Sequence, residues 1–477
     1  DLTVTGSGST YTVTATATGQ GDVTVSFTGS VADPAGNAQT TAGGTDRTVT
    51  YDSIAPTLTL QKAAGQADPA KNAAIGFTFS ASEALDASTV TAADFTAANG
   101  TIASVTGSGD TYTVTVTASG EGAVTIAFAG SVADPAGNTK TTAGGTDRTV
   151  TYDSVAPTLT LQQAAGQADP AKNATITFSF SASEPLTAST VTAADFTATN
   201  GAVASVTGSG DTYTVTVTAS GQGDVAVSFT GSVADPAGNT QTTAGGTDRT
   251  VTYDSVTPVV TLVRAPGQTT PTNDGTIRFQ LSSSEPLVAA GVTPDDFTVT
   301  KGTDVIVAGS GSTFTITVTA TDEGDVAVAP SGSFAVADPA GNVASTAGGT
   351  DRTVVYDVTA PSLTLQQAAT QADPTRLATI RFTLGANEAI DATTVTADDF
   401  TVSNGSTPTI TCTASACTAA TTALTEGDVV ITVSPDFAVR DIAGNETTSA
   451  AVLADTSVTY DRQVTFDSIA PVVTVQQ

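Results

Sequence analysis

The chain has 477 residues, of which 46 are acidic and 15 are basic, so its formal net charge is −31. It carries no block of basic residues and would repel a phosphate backbone, which argues against nucleic acid as a partner. Histidine is absent, which removes the Ser-His-Asp triad, His-ligated zinc and imidazole as a base. We therefore predict that the chain is not an enzyme.

Internal repeats dominate the sequence. The segment Thr-Thr-Ala-Gly-Gly-Thr-Asp-Arg-Thr-Val-Thr-Tyr-Asp-Ser occurs unchanged at 40–53, 141–154 and 242–255. A proline follows each junction between repeats and sets their phase, at Pro56, Pro157, Pro258, Pro361 and Pro471. A period of about one hundred residues is too long for a solenoid unit and fits one small globular domain.

The phase of the repeats defines the predicted domains. Residue 1 falls within a repeat and residue 477 falls soon after the start of another, so we expect the chain to be part of a longer array. No transmembrane run is present in the sequence. The predicted domains are the C-terminal part of a repeat at 1–52, repeats at 53–153, 154–254, 255–357 (divergent) and 358–467 (the longest), and the start of a further repeat at 468–477.

The repeat at 154–254 shows the predicted elements in chain order. Alternating apolar and hydroxyl residues predict strands, and Gly, Pro, Asn and Asp clusters predict the turns between them. A tight turn is expected at Asn200-Gly201, and a long polar loop at 235–248. The predicted strands lie at 158–161, 176–180, 195–197, 203–206, 213–217, 225–229 and 249–253.

Seven short strands in about one hundred residues, without a helical apolar period, predict an all-β fold. Thr, Val and Phe dominate the strands, as β-propensity favours. We predict a tandem array of seven-stranded immunoglobulin-like β-sandwiches that lack the disulfide and Trp of antibody domains. An up-and-down barrel is the alternative, and it is less typical of head-to-tail repeats.

Cys412 and Cys417 replace a Gly-Ser-Gly turn of the other repeats. A disulfide across a hairpin is the favoured interpretation, and it would indicate an oxidising compartment. Two reduced thiols in a loop are the alternative. A zinc site is disfavoured because two ligands without a nearby His or Cys cannot complete tetrahedral coordination.

Acidic residues are expected to gather at the repeat junctions. In an immunoglobulin-like topology, the loops carrying Glu184, Asp211, Asp235 and Asn239 meet the linker that carries Asp153. Calcium prefers such oxygen ligands, and bound cations would relieve repulsion along an acidic array. We therefore predict calcium at the junctions, with the ligands Asp52, Glu83, Asp134, Asn138, Asp153, Glu184, Asp235, Asn239, Asp254, Glu285, Asp338, Asn342, Asp357, Glu388, Asp441 and Asn445.

The same acidic residues also have an interpretation without metal. Asp-Pro-Ala-Gly-Asn is a good type I turn, Ser-Glu-Pro ends a strand, and Asp-Ser-x-Ala-Pro is a short linker stiffened by proline. The sequence lacks the Asp-x-Asp-x-Asp-Gly loop of EF-hands. A glycosidase acid–base pair formed by Glu184 and Asp235 is disfavoured because the chain has no Trp to line a sugar cleft.

Several motifs resemble a known family. Ser-Glu-Pro-Leu, Val-Thr-Ala-Ala-Asp-Phe-Thr, Gly-Ser-Gly-Asp-Thr-Tyr-Thr-Val-Thr-Val, Asp-Pro-Ala-Gly-Asn and Tyr-Asp-Ser-Val-Ala-Pro are similar to strings in bacterial Ig-like (Big-type) repeat domains of large repetitive surface adhesins and extender proteins. The resemblance covers essentially the whole chain. It implies a bacterial cell-surface or extracellular location and a spacer role, and the extender members of the family are often calcium-dependent.

Three classes of function follow from these observations. The favoured one is a non-enzymatic extracellular extender, a rod or filament of tandem domains stiffened by calcium at the junctions, with self-association into a fibre or sheath left open. The alternative is an adhesin whose domains bind glycan or surface-protein ligands directly, for which 358–467 is the candidate repeat. Enzymatic activity is the least favoured class.

Overall fold

The computed structural model describes residues 1–447, 452–453 and 456–461. The chain divides into two compact units, Asp1–Ala168 with Ala174–Tyr253, and Asp169–Asn173 with Asp254–Gln477. The domain limits inferred from the repeats stay a prediction, and 468–477 lies outside the described residues. Within the described part of the chain, no helix is both long and apolar enough to cross a membrane.

The repeat at 154–254 contains ten strands, of which seven correspond to the predicted ones and three are only two residues long. Two 3-10 turns, Ala188–Thr190 and Ala193–Asp195, lie between the second and third strands. The strands are β1 (Leu159–Gln163), β2 (Thr175–Ala182), β3 (Phe196–Thr199), β4 (Gly201–Ser209), β5 (Thr212–Ala219), β6 (Gly223–Phe229), β7 (Val233–Ala234), β8 (Thr240–Gln241), β9 (Ala244–Gly245) and β10 (Thr250–Tyr253).

These strands form two facing sheets and a short ribbon. The larger sheet has the order β4-β5-β2-β1-β9, the smaller has the order β3-β6-β10, and β7 pairs with β8. All pairs are antiparallel except β1 with β9. This arrangement confirms the predicted all-β, immunoglobulin-like sandwich, since the seven predicted strands divide four to one sheet and three to the other.

The predicted turns are present, with one difference in what they connect. Asn200 has a φ of 53°, a left-handed conformation that Asn tolerates, so it makes the expected tight turn. That turn joins β3 and β4, which belong to different sheets, so it carries the chain across the sandwich. The loop expected at 235–248 contains the short strands β8 and β9.

Alternation along the strands places one apolar face of each sheet in the core. Phe178 and Phe180 in β2 are fully buried, and Ile176 beside them is as well. Across the sandwich, the ring of Phe180 lies 5.0 Å from that of Phe196 and 5.2 Å from that of Phe229. The Thr and Ser residues between them face outward, which keeps strand propensity without exposing apolar surface.

The other repeats reproduce this pattern, and the N-terminal segment contains its last strands. The segment 1–52 has Leu2–Ser7, Thr10–Ala15, Gly21–Thr24, Val31–Ala32, Ala38–Gln39 and Thr48–Tyr51. The repeat at 53–153 has Leu58–Lys62, Ala74–Ala81, Phe95–Ala98, Gly100–Ser108, Thr111–Ala118, Gly122–Phe128, Val132–Ala133, Thr139–Lys140, Ala143–Gly144 and Thr149–Tyr152, with 3-10 turns at Ala87–Thr89 and Ala92–Asp94.

The two divergent repeats have the same order of strands, except that one long strand in 255–357, Gly302–Ala320, takes the place of the fourth and fifth strands. The repeat at 255–357 has Val260–Arg264, Thr276–Leu287, Phe297–Thr300, Gly302–Ala320, Gly324–Pro330, Val336–Ala337, Val343–Ala344, Ala347–Gly348 and Thr353–Tyr356, with 3-10 turns at Ala289–Gly291 and Pro294–Asp296. The repeat at 358–467 has Leu363–Gln367, Thr379–Ala386, Phe400–Ser403, Thr409–Cys412, Ala416–Thr422, Gly427–Val433, Val439–Arg440, Glu446–Thr447, Val452–Leu453 and Ser457–Tyr460, with 3-10 turns at Ala392–Thr394 and Ala397–Asp399.

Candidate metal site at the repeat junctions

The Asp-Pro-Ala-Gly-Asn segment forms a tight loop between β7 and β8 around the buried carboxylate of Asp235. This side chain is only 1% exposed. Its Oδ1 accepts hydrogen bonds from the main-chain nitrogens of Gly238, at 2.7 Å, and Asn239, at 2.9 Å. Gly238 has a φ of 89°, which a side chain would disfavour. The turn predicted from this motif therefore exists, and it fixes the position of the carboxylate.

Asn239 connects this loop to the linker that enters the domain. Its Nδ2 donates to Oδ2 of Asp235 at 2.9 Å and to the main-chain oxygen of Asp153 at 3.0 Å. Both partners are acceptors, so the amide nitrogen must face them. The same bond to the linker carbonyl recurs from Asn138 to Asp52, Asn342 to Asp254 and Asn445 to Asp357.

Three carboxylates meet beside this loop. One oxygen each from Asp153 in the linker, Glu184 after β2 and Asp235 lies within 4.8 Å of the others. Three separate parts of the fold thus supply one acid each. Within the residues that the structure describes, the same grouping recurs three more times, as Asp52 with Glu83 and Asp134, Asp254 with Glu285 and Asp338, and Asp357 with Glu388 and Asp441. We call each of these four groups a junction triad.

The glutamate of each junction triad is held in an unfavourable environment for its charge. Burial, and then the negative charges of Asp153, Asp235 and Glu121, raise the pKa of Glu184 above its ordinary value. The pKa values of Glu83, Glu285 and Glu388 are raised as well, first by burial and then by the aspartates of their own triads. Folding therefore brings like charges together and removes part of the water that would separate them.

Asp134 shows the opposite balance within a triad. Burial acts to raise its pKa, but hydrogen bonds from the side-chain and main-chain amides of Asn138 outweigh it and lower the pKa. The loop thus stabilises the charged form of this aspartate, while nothing comparable offsets the burial of Glu83. Of these two carboxylates, Glu83 therefore gains more from a proton or a cation.

Two of the triad glutamates carry a buried oxygen without a hydrogen-bond partner. These are Oε1 of Glu285 and Oε1 of Glu388. A buried acceptor that has lost its water and gained no donor is costly, on the order of 1–3 kcal/mol and more when charged. Such an atom, among other carboxylates, is suited to a positively charged ligand.

The geometry of the triads fits a hard divalent cation. Calcium binds oxygens at roughly 2.4 Å, so two oxygens on one ion are at most about 4.8 Å apart. The three triad oxygens meet that limit. Calcium takes about six to eight oxygens, so main-chain carbonyls and water would have to complete the shell. What the residues offer is an anionic, oxygen-only donor set without a sulfur or nitrogen ligand.

The structure brings together the linker aspartate, the glutamate and the loop aspartate at each junction, but not Asp211. Its main-chain oxygen accepts from Ala182 and its side chain accepts from the Thr212 hydroxyl, so it serves the β4–β5 turn. A comparison of the repeats would have shown this, because Ser312 stands at the same place in 255–357.

Sequence reasoning missed one residue at the junction. Glu121, in the turn before the sixth strand of 53–153, accepts from the main-chain nitrogen of Ser154 at 3.0 Å and from its hydroxyl at 2.6 Å. It therefore grips the linker next to Asp153. Its signal in the sequence is weak, since a Gly-Glu-Gly or Gly-Gln-Gly turn needs no function.

A disulfide joins Cys412 and Cys417, with an S–S distance of 2.02 Å. The two residues face each other across the hairpin formed by Thr409–Cys412 and Ala416–Thr422. Cys417 is buried in the core of its repeat. This bond staples the hairpin that takes the place of the Gly-Ser-Gly turn of other repeats.

No protein-family model and no curated protein matches the chain. Solved structures with similarity include invasin, a bacterial integrin-binding protein, at 15% identity and a TM-score of 0.34, covering 80% of this chain and 76% of that one. The Escherichia coli adhesin FdeC has 15% identity and a TM-score of 0.30, covering 63% and 96%. The S-layer protein rSbsC has 14% identity and a TM-score of 0.22, covering 89% and 56%. Likenesses this low carry no inference about ligands or activity.

Proposed function

We propose that this chain is a non-enzymatic extracellular spacer, a tandem array of immunoglobulin-like domains whose junctions are stiffened by calcium. The observation that carries the proposal is the junction triad. It recurs at four successive junctions, and each time it takes one carboxylate from the linker and two from the domain that follows.

A cation bound by a junction triad would fix the linker to the domain it enters. In the triad of Asp153, Glu184 and Asp235, only Asp153 belongs to the linker. Asn239 already holds the main chain of that residue. A cation would also hold its side chain, so that the linker is gripped at two points and loses rotational freedom. The expected result is a stiffer array with bound cation and a looser one without it.

Calcium is the proposed ion because of charge and ligand type. The triads offer only oxygen ligands, which favours calcium or magnesium over zinc or copper. Calcium accepts an irregular shell of carboxylates and carbonyls, whereas magnesium demands a near-ideal octahedron and keeps its water. A net charge of −31 gives an added reason for uptake of divalent cations.

The proposed location outside the cell has separate support. The disulfide between Cys412 and Cys417 is of the kind that persists in oxidising compartments. Free calcium is also abundant there, which suits sites built from few protein ligands.

The test compares the whole chain with two variants in calcium and in chelator. The first variant carries E83Q, E184Q, E285Q and E388Q, which remove one charge from each triad with little change of shape. The control carries D110N and D211N, acids of the turns before the fifth strand that lie outside the triads, and it shows whether loss of acidic charge elsewhere has the same effect. Isothermal titration with calcium, thermal unfolding and small-angle scattering are measured for all three.

The proposal predicts calcium uptake by the wild type and the control, and weak uptake by the Glu→Gln variant. Chelator should lower the unfolding temperature of the wild type and make its scattering profile that of a more flexible chain. Unchanged unfolding and scattering on chelation, together with a flat calcium titration, would refute calcium stiffening. Binding of a glycan or surface protein by the chain itself would instead favour the adhesin function.

A further inference from the structure

One position, in the turn before the strand that corresponds to β6, differs between junctions. It is Gln20 in 1–52, Glu121 in 53–153, Gln222 in 154–254 and Glu323 in 255–357. We call it the turn-tip residue. The first two repeats differ at this position by a full charge. The difference bears on the junction because Gln20, Glu121 and Glu323 contact the linker that follows them.

The turn-tip residue accepts the same two hydrogen bonds from the linker whether it is Gln20 or Glu121, although Glu121 divides them between its two carboxylate oxygens. Oε1 of Gln20 accepts from the main-chain nitrogen of Ser53 at 3.0 Å and from its hydroxyl at 3.1 Å. The carboxylate of Glu121 accepts the two corresponding bonds from Ser154. Gripping the linker therefore does not require a charge at this position.

Glu323 makes the equivalent contacts at a later junction. Its Oε1 accepts from the main-chain nitrogen of Val358 at 2.9 Å and from the hydroxyl of Thr359 at 2.7 Å. These bonds, with that from Thr359 first, lower the pKa of Glu323. The side chain is therefore a carboxylate at neutral pH, although a neutral Gln could accept the same hydrogen bonds.

The second polar atom of the side chain distinguishes the two kinds of residue. Nε2 of Gln20 donates to Oδ1 of Asp52 at 2.7 Å, so a triad carboxylate receives a protein donor. Glu121 and Glu323 have no donor to offer. Their negative charges instead contribute to the raised pKa values of Glu184 and Glu388 in the adjacent triads. A Glu turn tip thus increases the repulsion among the triad carboxylates. The amide of Gln20 reduces it, because it donates a hydrogen bond to one of them.

We propose that the turn-tip residue sets how strongly each junction depends on a divalent cation. Junctions that follow Glu121 and Glu323 bind the cation tightly and loosen when it is removed. The junction that follows Gln20 binds it more weakly and keeps part of its order without it, because the amide of Gln20 partly takes the place of the cation. This inference rests on the proposed cation uptake by the triads.

The direction and size of the effect follow from charge. A fourth carboxylate near the ion adds electrostatic attraction, and the affinity of calcium sites rises with the charge of their ligands. One unit charge acting on a divalent ion near the surface changes affinity by about tenfold after screening by solvent and salt. The hydrogen bond from Gln20 to Asp52 lowers the affinity of its junction for the ion, since that bond must be lost or shared when the ion binds.

The experiment titrates the full chain with calcium and follows linker protection by hydrogen exchange. The test variant carries E121Q and E323Q, which keep the acceptor that grips the linker, as Gln20 demonstrates. The reciprocal variant is Q20E. The D110N and D211N control also removes two negative charges, but from outside the junctions, and so measures the effect of net charge alone.

The wild type should take up calcium in a tight and a weak class. In the variant with E121Q and E323Q, the calcium affinity of the tight class should fall by about tenfold. The control should titrate like the wild type, and Q20E should gain a tight site. In chelator, the linker around Asp52 should exchange more slowly than the linkers around Asp153 and Asp357. In the double variant, this difference should shrink.

Two failures are distinguishable. If the wild type takes up no calcium, both the proposed function and this inference are wrong. If the wild type binds calcium in a single affinity class and the double variant titrates as the control does, the triads bind cations but the turn-tip residue does not set their affinity. In that case only this inference is overturned.

Discussion

Asn239 donates through its side-chain nitrogen to the main-chain oxygen of Asp153, 3.0 Å away. One residue lies in a loop of the domain and the other lies in the linker that enters it. Because the bond uses the main chain of Asp153, the carboxylate of that residue is left to join Glu184 and Asp235. The loop motif therefore has two tasks, which are to hold the linker and to place an acid beside it.

The first prediction concerns this bond. Asn239→Ala removes two hydrogen bonds and leaves a buried carboxylate and a carbonyl short of a donor. We expect the free energy of local opening of the loop to fall by about 1–3 kcal/mol, measured by native-state hydrogen exchange of its amides. Asn37→Ala is the control, since Asn37 occupies the same loop motif in an exposed setting. Equal effects of the two substitutions would contradict the assigned role of Asn239.

The second prediction concerns pH in the absence of divalent cations. The pKa of each triad glutamate is raised from its ordinary value of 4.5, so the folded state holds this proton more tightly than the unfolded state. Stability from this source is complete below pH 4.5 and is lost as pH rises through the folded-state pKa. In chelator, the unfolding temperature should therefore fall as pH rises above 4.5.

The same four Glu→Gln substitutions should flatten this dependence, because Gln does not titrate. The lowered pKa of Asp134 contributes stability that is present above its ordinary 3.8 and lost in more acidic solution, so it does not mask the effect. Calcium should reduce or reverse the slope, since it binds the deprotonated carboxylates. An unfolding temperature that rises with pH in chelator would show that the triads are not the dominant titrating groups.

The sequence predicted the sandwich well because strand alternation is a local signal. The strand predicted at 176–180 contains Phe178 and Phe180, and both are fully buried. It also placed Asp153, Glu184 and Asp235 on converging loops. It could not show that Asn239 faces two acceptors, because that depends on side-chain orientation. The short strands β7, β8 and β9 were missed because two-residue pairings leave no periodic pattern.

The third prediction concerns the disulfide. Cys412 and Cys417 close a small loop with a sequence separation of five, and a loop of that size removes chain entropy equivalent to about 2 kcal/mol. Reduction should lower protection against hydrogen exchange in the hairpin formed by Thr409–Cys412 and Ala416–Thr422 by about that amount. Peptides from 154–254 serve as an internal control, because that repeat has no cysteine. A loss of protection spread equally over both repeats would contradict a local staple.

The last prediction tests the turn that seats the parallel strand β9 against β1. Gly246 has a φ of 106°, and a Cβ at this position would overlap the main-chain oxygen of Leu161. Arg249 also donates to the carbonyl of Gly246, at 3.0 Å, so the turn cannot move away without losing that bond. We expect Gly246→Ala to reduce the free energy of unfolding of its repeat by about 2–4 kcal/mol. Gly166→Ala is the control, because Gly166 has a φ of 80° but open space around it, and should cost only about 1–2 kcal/mol. Denaturant unfolding of the two variants separates the cost of the overlap with Leu161 from the cost of placing Ala at a positive φ. Equal losses of unfolding free energy would mean that the close approach to Leu161 adds nothing.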